Sequence, residues 1–316
     1  MATAPPSGPI TTAVVGTGHL GRHHVRLMAA NPRAAFLGAY DADRARLESV
    51  AAEHGVTALP SLEAAAAADA VVVATPTVTH REVAGRLLEQ GCHVLVEKPI
   101  AATVAEAREL VALARDRGRI LAVGHVEYHN PAVQAAVGLA EDVRYLEAQR
   151  LSPFTARSVD VDVILDLMIH DIQITLAVAR EAPSAIRAVG VPVLTDKVDL
   201  CHAWIEFPSG LVANLTASRV SAERVRKLRI FARDSYFSVD YAEQSVHSAV
   251  LRRSADGATI APRPVDVTPR EPLAAEQDAF LAACLGDPPP IVDGTAATAA
   301  LEAAVAIRDR VEARIG

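Results

Sequence analysis

Ala13-Val14-Val15-Gly16-Thr17-Gly18-His19-Leu20-Gly21 is the stretch that decides the fold. An apolar run of strand length ends in G-x-G-x-x-G, and a helix-like segment continues from Leu20 to Ala30. Each glycine has its own task in such a turn. Gly16 allows the tight bend, Gly18 lets the backbone approach a pyrophosphate, and Gly21 lets the helix pack close to the strand. The helix start then offers unpaired N–H groups and the positive end of a dipole to the phosphates. A second strand-like run, Ala35 to Tyr40, ends in Asp41. That is about twenty residues past Gly21, where a carboxylate that binds ribose hydroxyls belongs. A Gly-rich turn followed by an ordinary surface Asp is the alternative, and the strand–turn–helix context argues against it.

Outward from this turn, strand-like and helix-like segments alternate. A helical stretch covers Asp43 to His54, and Ala70-Val71-Val72-Val73-Ala74 reads as a strand buried on both faces. Thr75-Pro76-Thr77 breaks that strand, and Thr79 with Glu82 predicts a capping box at the next helix. His93 to Val96 is another strand, ending in Glu97-Lys98-Pro99. Thr103 and Glu106 predict a second capping box, and Ile120 to Val123 a last parallel strand before Gly124. The alternation implies a doubly wound parallel sheet with its ligand outside the carboxyl ends of the strands. The Gly16–Gly21 turn, Asp41, Thr75-Pro76 and Glu97-Lys98 all fall at such ends.

Beyond His125 the pattern changes. A helix from Pro131, a strand over Val143–Leu151 and an apolar helix from Val163 to Ala179 come first. Strand-like runs then follow without intervening helices: 186–194, 200–207, 211–218, 226–232 and 236–241. Pro208-Ser209-Gly210 predicts a hairpin between the second and third of these. Helices are expected over 271–285 and 295–315. The fold class is thus α/β, with a dinucleotide-binding domain over 1–124 and a second α/β domain over 125–316 built on a mostly antiparallel open sheet.

Composition limits the function. The 316 residues suit two domains, half are hydrophobic, and 22% are charged, so a sizeable core is available. A net charge of −7 and 4% aromatic residues argue against a nucleic-acid partner. No apolar run reaches membrane-spanning length. Met1 to Pro9 has neither the charged start nor the apolar centre of a signal peptide, and Cys92, Cys201 and Cys284 are scattered without metal-like spacing. A cytoplasmic protein with packing cysteines is expected.

Two stretches offer catalytic chemistry. Lys98, in a strand-end loop, is placed to orient or polarise a hydroxyl; an ordinary loop lysine is the alternative. The Lys98–Pro99 bond leaves the cis form open, with trans generally favoured. In Asp166-Leu167-Met168-Ile169-His170-Asp171, Asp166 and His170 are four apart, on one face of an apolar helix. Polar groups there are costly unless paired or lining a cavity. Asp166 would orient the imidazole, leaving its other nitrogen to take a proton; a purely structural pair is the alternative. No third ligand at suitable spacing supports a zinc site, so no metal is expected.

The order G-T-G-H-L-G, Asp41, T-P-x-x-x-H (Thr75, Pro76, His80), E-K-P and D-x-x-x-H-D, over nearly the whole chain, resembles the Gfo/Idh/MocA oxidoreductases. The resemblance implies a nicotinamide-dependent enzyme acting on sugars, polyols or nucleotide sugars. Substrate would lie between a Rossmann domain and an open-sheet domain whose exposed face builds homodimers or homotetramers. It carries over Lys98, Asp166 and His170 as the catalytic set. Gly16, Thr17, Gly18, His19, Leu20, Gly21, Asp41, Thr75, Pro76, His80, Glu97 and Lys98 become the contacts of NAD, which Asp41 favours over NADP. Within the family, Gly124 to Glu127 with Asn130-Pro131, Arg150 to Phe154 and Asn214 to Arg219 look most like the UDP-N-acetylglucosamine 3-dehydrogenase group, associated with lipid A precursors. Tyr128-His129 stands where many relatives have Arg-Phe. The implied reaction is oxidation of a sugar's secondary hydroxyl, at C3 of a UDP-N-acetylhexosamine. A free sugar or inositol dehydrogenase is the alternative, and a non-catalytic dinucleotide sensor a more distant one. The substrate contacts would be Lys98, Asp166 and His170, with arginines for a pyrophosphate. Arg219, Arg224, Arg226, Lys227, Arg229 and Arg233 crowd one short run against the single acid Glu223. This is either a solvated or subunit-contacting face, or a source, with Arg150 and Arg157, of pyrophosphate ligands, Arg219 first among them.

Overall fold

The computed structural model describes residues 8–155, 161–254, 257–287 and 291–315. Five parallel strands, β1 (Ile10–Val15), β2 (Ala34–Tyr40), β3 (Ala70–Val73), β4 (His93–Glu97) and β5 (Leu121–Gly124), form one sheet in the order β2-β1-β3-β4-β5. Helices α1 (Gly21–Ala30), α2 (Arg44–His54), α3 (Leu62–Ala65), α4 (His80–Glu89) and α5 (Val104–Arg117) connect them. All four residues of β3 are buried, as the unbroken apolar run requires of a strand covered on both faces. The strand order reverses at β1, between β2 and β3, and the glycine turn leaves β1 at that point.

Local signals explain most helix ends, with one exception. Asp43 caps α2 by accepting the Arg46 N–H, and the Thr103–Glu106 capping box at α5 forms in full. The box expected from Thr79 and Glu82 does not form. A 3-10 turn over Thr77–Thr79 precedes α4, and the Thr79 hydroxyl donates to the Pro76 carbonyl (2.7 Å) and bonds the Thr75 hydroxyl (2.9 Å).

The second sheet has eight strands. After α6 (Pro131–Leu139) come β6 (Val143–Leu151), α7 (Ile169–Ala179), β7 (Ala185–Val191), β8 (Leu200–Glu206) and β9 (Val212–Ser218), then β10 (Val225–Ala232), β11 (Ser235–Asp240), β12 (Ser245–Ser254) and β13 (Gly257–Pro262). Their order is β13-β12-β11-β10-β6-β9-β8-β7, antiparallel except for the parallel pair β6–β9. Strands β12 and β13 lie in a stretch to which the sequence reading assigns no element. On one face, Leu146, Ala148, Ala213, Leu215 and Phe237 pack with Met168, Ile169 and Ile172 and with Ala304 and Ile307. The opposite face carries a row of rings, Trp204–Tyr145–Phe231–Tyr236, with centroids 4.9 to 6.2 Å apart.

The chain divides into two compact units, Met1–Val126 with Glu271–Thr298, and Glu127–Arg270 with Ala299–Gly316. The first break lies close to the expected 124/125 boundary, but the chain then returns to the first unit. α8 (Pro272–Cys284) brings Phe280 and Leu281 into the core formed by Ile10, Val14 and Met28. α9 (Gly294–Ile315) begins in the first unit and ends in the second. Among the described residues no helix is long and apolar enough to cross a membrane.

Candidate active site

In the first unit the glycine turn is built as its sequence demands. Gly16 has φ +91°, and a Cβ there would lie 2.6 Å from the Ala74 carbonyl. A Cβ on Gly21 would come within 2.0 Å of the Gly16 oxygen. At Gly18, by contrast, a Cβ would meet nothing within 4 Å, so the protein itself makes no demand for glycine there. A dinucleotide pressed against the backbone supplies that demand. α1 starts without a side-chain cap and with no acid in its first turn, which suits a phosphate. Thr17 is buried, while His19 and Leu20 are exposed beside the turn.

Asp41, at the end of β2, is fixed by that same turn. Its Oδ2 accepts the Thr17 N–H at 2.7 Å and the Thr17 hydroxyl at 2.9 Å, while Oδ1 accepts the Asp43 N–H at 2.8 Å. Arg46 stands 3.7 Å away, and Arg44 turns aside to pair with Glu48. These residues fit a dinucleotide whose ribose hydroxyls meet a carboxylate.

The T-P-x-x-x-H and E-K-P stretches form one assembly. The His80 ring lies with Nδ1 2.9 Å from the Pro99 carbonyl and Nε2 2.9 Å from that of Thr75. Burial pushes the imidazole below its usual range, although both carbonyls favour its charged form. His80 therefore ties the end of β3 to the end of β4; it was expected as a cofactor contact, and the structure gives it this bridging place. The Lys98–Pro99 bond is cis. Lys98 is half-buried, and its N–H donates to Glu97 Oε2 at 3.2 Å. Glu97 is buried, and its Oε1 bonds His24 Nε2 at 2.8 Å.

In the second unit Asp166 and His170 do not share one continuous α-helix. Ile164–Met168 is a wide π turn, closed by the Ile169 N–H on the Ile164 carbonyl and capped by Asp162, whose Oδ1 accepts the N–H groups of Ile164 and Leu165. Such turns are frequent at functional sites. Asp166 is half-buried in it, and His170 is buried in the first turn of α7.

Asp171, the last residue of D-x-x-x-H-D, holds a buried network that the sequence reading missed. Arg150 forks onto it through Nε and Nη2, both at 2.9 Å, and gives Nη1 to Glu127 at 2.5 Å. The Tyr241 hydroxyl donates to Asp171 at 3.1 Å, and the guanidinium lies 5.1 Å from the Tyr241 ring centre. Burial opposes the charge on Arg150, and the two carboxylates outweigh it and raise its pKa further. Burial and the Asp171 charge likewise push Tyr241 well up.

The arginines expected at a pyrophosphate have other places. Arg150 is consumed by Asp171 and Glu127. Arg219 is buried, donates to the Val161 carbonyl, and has Nε 3.7 Å from Asp199. Burial works against the Asp199 charge, but the N–H groups of Val193, Leu194 and Thr195 and the Thr195 hydroxyl hold its pKa at about 2. Arg226 reaches Glu127, Arg229 pairs with Glu147, and Arg233 lies 3.9 Å from Asp142. The basic run is thus largely matched by acids of its own unit. Arg157 lies outside the described residues.

A model of the NAD-binding Rossmann fold of the GFO_IDH_MocA oxidoreductases matches residues 10–125, and a model of the GFO/IDH/MocA C-terminal domain matches 105–237. The UDP-N-acetylglucosamine 3-dehydrogenase of Acidithiobacillus ferrooxidans is 43% identical over 311 residues, covering 96% of this chain and 97% of its own. Its solved structure superposes with a TM-score of 0.91 at 41% identity, over 97% of this chain and 99% of that one. An inositol 2-dehydrogenase of Rhizobium meliloti is 28% identical, over 65% of this chain and 68% of its own. The chain belongs to the Gfo/Idh/MocA family of NAD-binding oxidoreductases.

Proposed function

We propose that the protein oxidises the 3-hydroxyl of a UDP-N-acetylhexosamine, UDP-N-acetylglucosamine first, to the 3-keto sugar. The observation that carries this reading is the 43% identity to the Acidithiobacillus ferrooxidans enzyme across nearly both full chains. Bound NAD supplies a hydride acceptor. The glycine turn and the α1 N-terminus hold its pyrophosphate, and Asp41 its ribose hydroxyls. Lys98 holds the substrate hydroxyl and stabilises the negative charge that develops on its oxygen. His170 takes the hydroxyl proton as the carbinol hydrogen leaves with its electron pair. Asp166 orients His170 or touches the sugar. With Arg150 and Arg219 engaged by buried carboxylates, other donors meet the pyrophosphate of the nucleotide sugar.

The second reading, oxidation of inositol or a free sugar, draws on the Rhizobium meliloti relative and keeps the same three catalytic residues. Self-association through the open face of the second sheet, where Trp204 and Phe231 stand exposed, belongs to the proposal. A reducing, cytoplasmic setting does too: Cys92, Cys201 and Cys284 are free, and burial pushes their thiols to about 11, 12 and 12. A screen of UDP-sugars, free amino sugars and inositols, followed by NADH absorbance, tests the substrate. Efficient turnover is expected with UDP-N-acetylglucosamine; equal efficiency with free N-acetylglucosamine or inositol transfers the assignment to the second reading.

A further inference from the structure

Behind the E-K-P stretch lies a buried cluster to which α8, near the far end of the chain, contributes two residues. Glu276 is 1% exposed, and neither of its carboxyl oxygens has a hydrogen-bond partner among the described residues. One of those oxygens, one Glu97 oxygen and one His24 ring nitrogen all lie within 4.8 Å of one another. The neighbouring Gln277 donates its amide to the His24 carbonyl at 3.2 Å and stands 2.9 Å from His24 Nδ1. An amide donor on Nδ1 leaves the ring proton on Nε2, directed at Glu97. Glu97 thus accepts from His24 on one oxygen and from the Lys98 N–H on the other, the arrangement of an ionised carboxylate.

Glu276 receives no such donors. Two ionised carboxylates in one buried cluster, sharing a single imidazole, would leave a buried charge uncompensated. We propose that Glu276 is a positioning residue for Lys98: its protonated carboxyl closes the cluster behind Glu97, so that Glu97 alone carries the charge which His24 and the Lys98 N–H hold in place. The proposal rests on the reading of Lys98 given above. Burial, with the adjoining Glu97 charge, acts in the same direction by pushing Glu276 well above the usual carboxylate range. The same three atoms could instead ligate a divalent cation, in which case Glu276 would be ionised and the proposal would be wrong.

The first test reads the proton directly. The infrared difference spectrum of wild type minus Glu276→Gln at pH 7 should show the carbonyl stretch of a protonated carboxylic acid. Absence of that band overturns the proposal, as does a stoichiometric divalent metal in protein purified without added metal. The second test reads positioning. Glu276→Ala opens the cluster to water and should lower kcat about tenfold, with KM and the NADH Kd changed less than twofold; small misplacements of reacting groups cost this much or more. Glu276→Gln, neutral and of the same shape, should restore kcat to within about twofold. Unchanged kcat in the alanine variant, or an equal loss in both, overturns the proposal. Should Glu276→Ala fail to fold, the infrared band still decides. If Lys98→Met keeps its turnover while the band is present, the reading of Lys98 fails and the protonation of Glu276 stands.

Discussion

A buried carboxylate stands beside each of the two candidate reacting residues, Glu97 before Lys98 and Asp171 after His170, and the two are held in opposite ways. Glu97 is held by an imidazole and a backbone N–H, with a neutral amide and a second carboxyl behind them. Asp171 is held by a bidentate guanidinium, a phenol and, through that guanidinium, a second acid. The first arrangement has little formal charge to strand if one member is lost. The second encloses a permanent cation that has no neutral form to retreat to. Loss of a member is therefore expected to disturb geometry in the cluster around Glu97 and stability in the one around Asp171.

The largest expected effect does not depend on either cluster. Lys98→Met and His170→Ala should each lower kcat by about 10²- to 10⁴-fold, the range for losing a group that transfers a proton or stabilises charge in the transition state. His170→Ala should leave the NADH Kd unchanged, because it lies in the other unit from the glycine turn. Near-normal turnover in that variant makes His170 a packing residue.

Breaking the two clusters tests the contrast itself. Asp171→Asn, a change conservative in shape, strands Arg150 beside a single remaining acid and should destabilise the second unit by about 3–5 kcal/mol. Denaturant unfolding should be followed with a probe in each unit, since two units need not unfold as one. His24→Gln keeps a donor toward Glu97 and should shift unfolding by less than about 1 kcal/mol, consistent with a conservative change in one hydrogen bond. Equal losses from the two variants would erase the distinction.

Acid should also weaken the second unit. Burial holds the His129 imidazole at about 4, below its ordinary 6.5, so the folded chain keeps it neutral where the unfolded chain takes up a proton. In the first unit, His80 and His93 are shifted the same way. The histidine contribution is therefore fully present above pH 6.5 and falls as pH drops toward 4. His129 alone accounts for about 3 kcal/mol at the acid end. His129→Phe should flatten the decline in urea unfolding between pH 7 and pH 4.5; an unchanged slope assigns it to other groups.

How much of this was legible in the sequence differs between contiguous and dispersed features for a physical reason. The glycine turn, Asp41 and the strand ends come from contiguous runs whose period and breaks declare themselves locally. The buried charges required combining period with partners distant in sequence. Arg150 is in phase with Leu146 and Ala148 along β6, so the strand's own alternation aims it into the core, yet its charge suggested a ligand. Glu276 is likewise in phase with Leu273 and Phe280 on α8. In both cases the apolar face announces burial, while the neighbour that sets the charge state, Asp171 pairing with Arg150 and Glu97 opposing an ionised Glu276, lies elsewhere in the chain. The π turn had no local signature, because its residues read as ordinary apolar helix. β12 and β13 were missed because their exposed, mixed faces lack a clear alternation.

Asp41 offers a milder perturbation of the first unit. NADH should bind at least about tenfold more tightly than NADPH, because a carboxylate that accepts ribose hydroxyls repels a 2′-phosphate. Equal titration curves in fluorescence would mean that Arg46, 3.7 Å from Asp41, compensates for that repulsion.

The smallest test separates geometry from stability within the first unit alone. Thr79 and Thr103 both stand just before a helix, each with a glutamate three residues on. Only Thr103 caps: its hydroxyl accepts the Glu106 N–H at 3.2 Å, and Glu106 answers on the Thr103 N–H at 3.0 Å. Thr103→Ala should cost about 1 kcal/mol in unfolding, as for other lost N-caps, with no change in NADH affinity. The Thr79 hydroxyl instead holds the turn at Thr75 and Pro76, where the chain leaves β3 beside the cofactor residues. Thr79→Ala should then weaken NADH binding by a few-fold, while Glu82→Ala, lacking a cap to lose, should stay within about 0.5 kcal/mol of wild type. If Thr79→Ala instead matches Thr103→Ala in unfolding and leaves NADH binding untouched, the turn after β3 serves the helix rather than the cofactor.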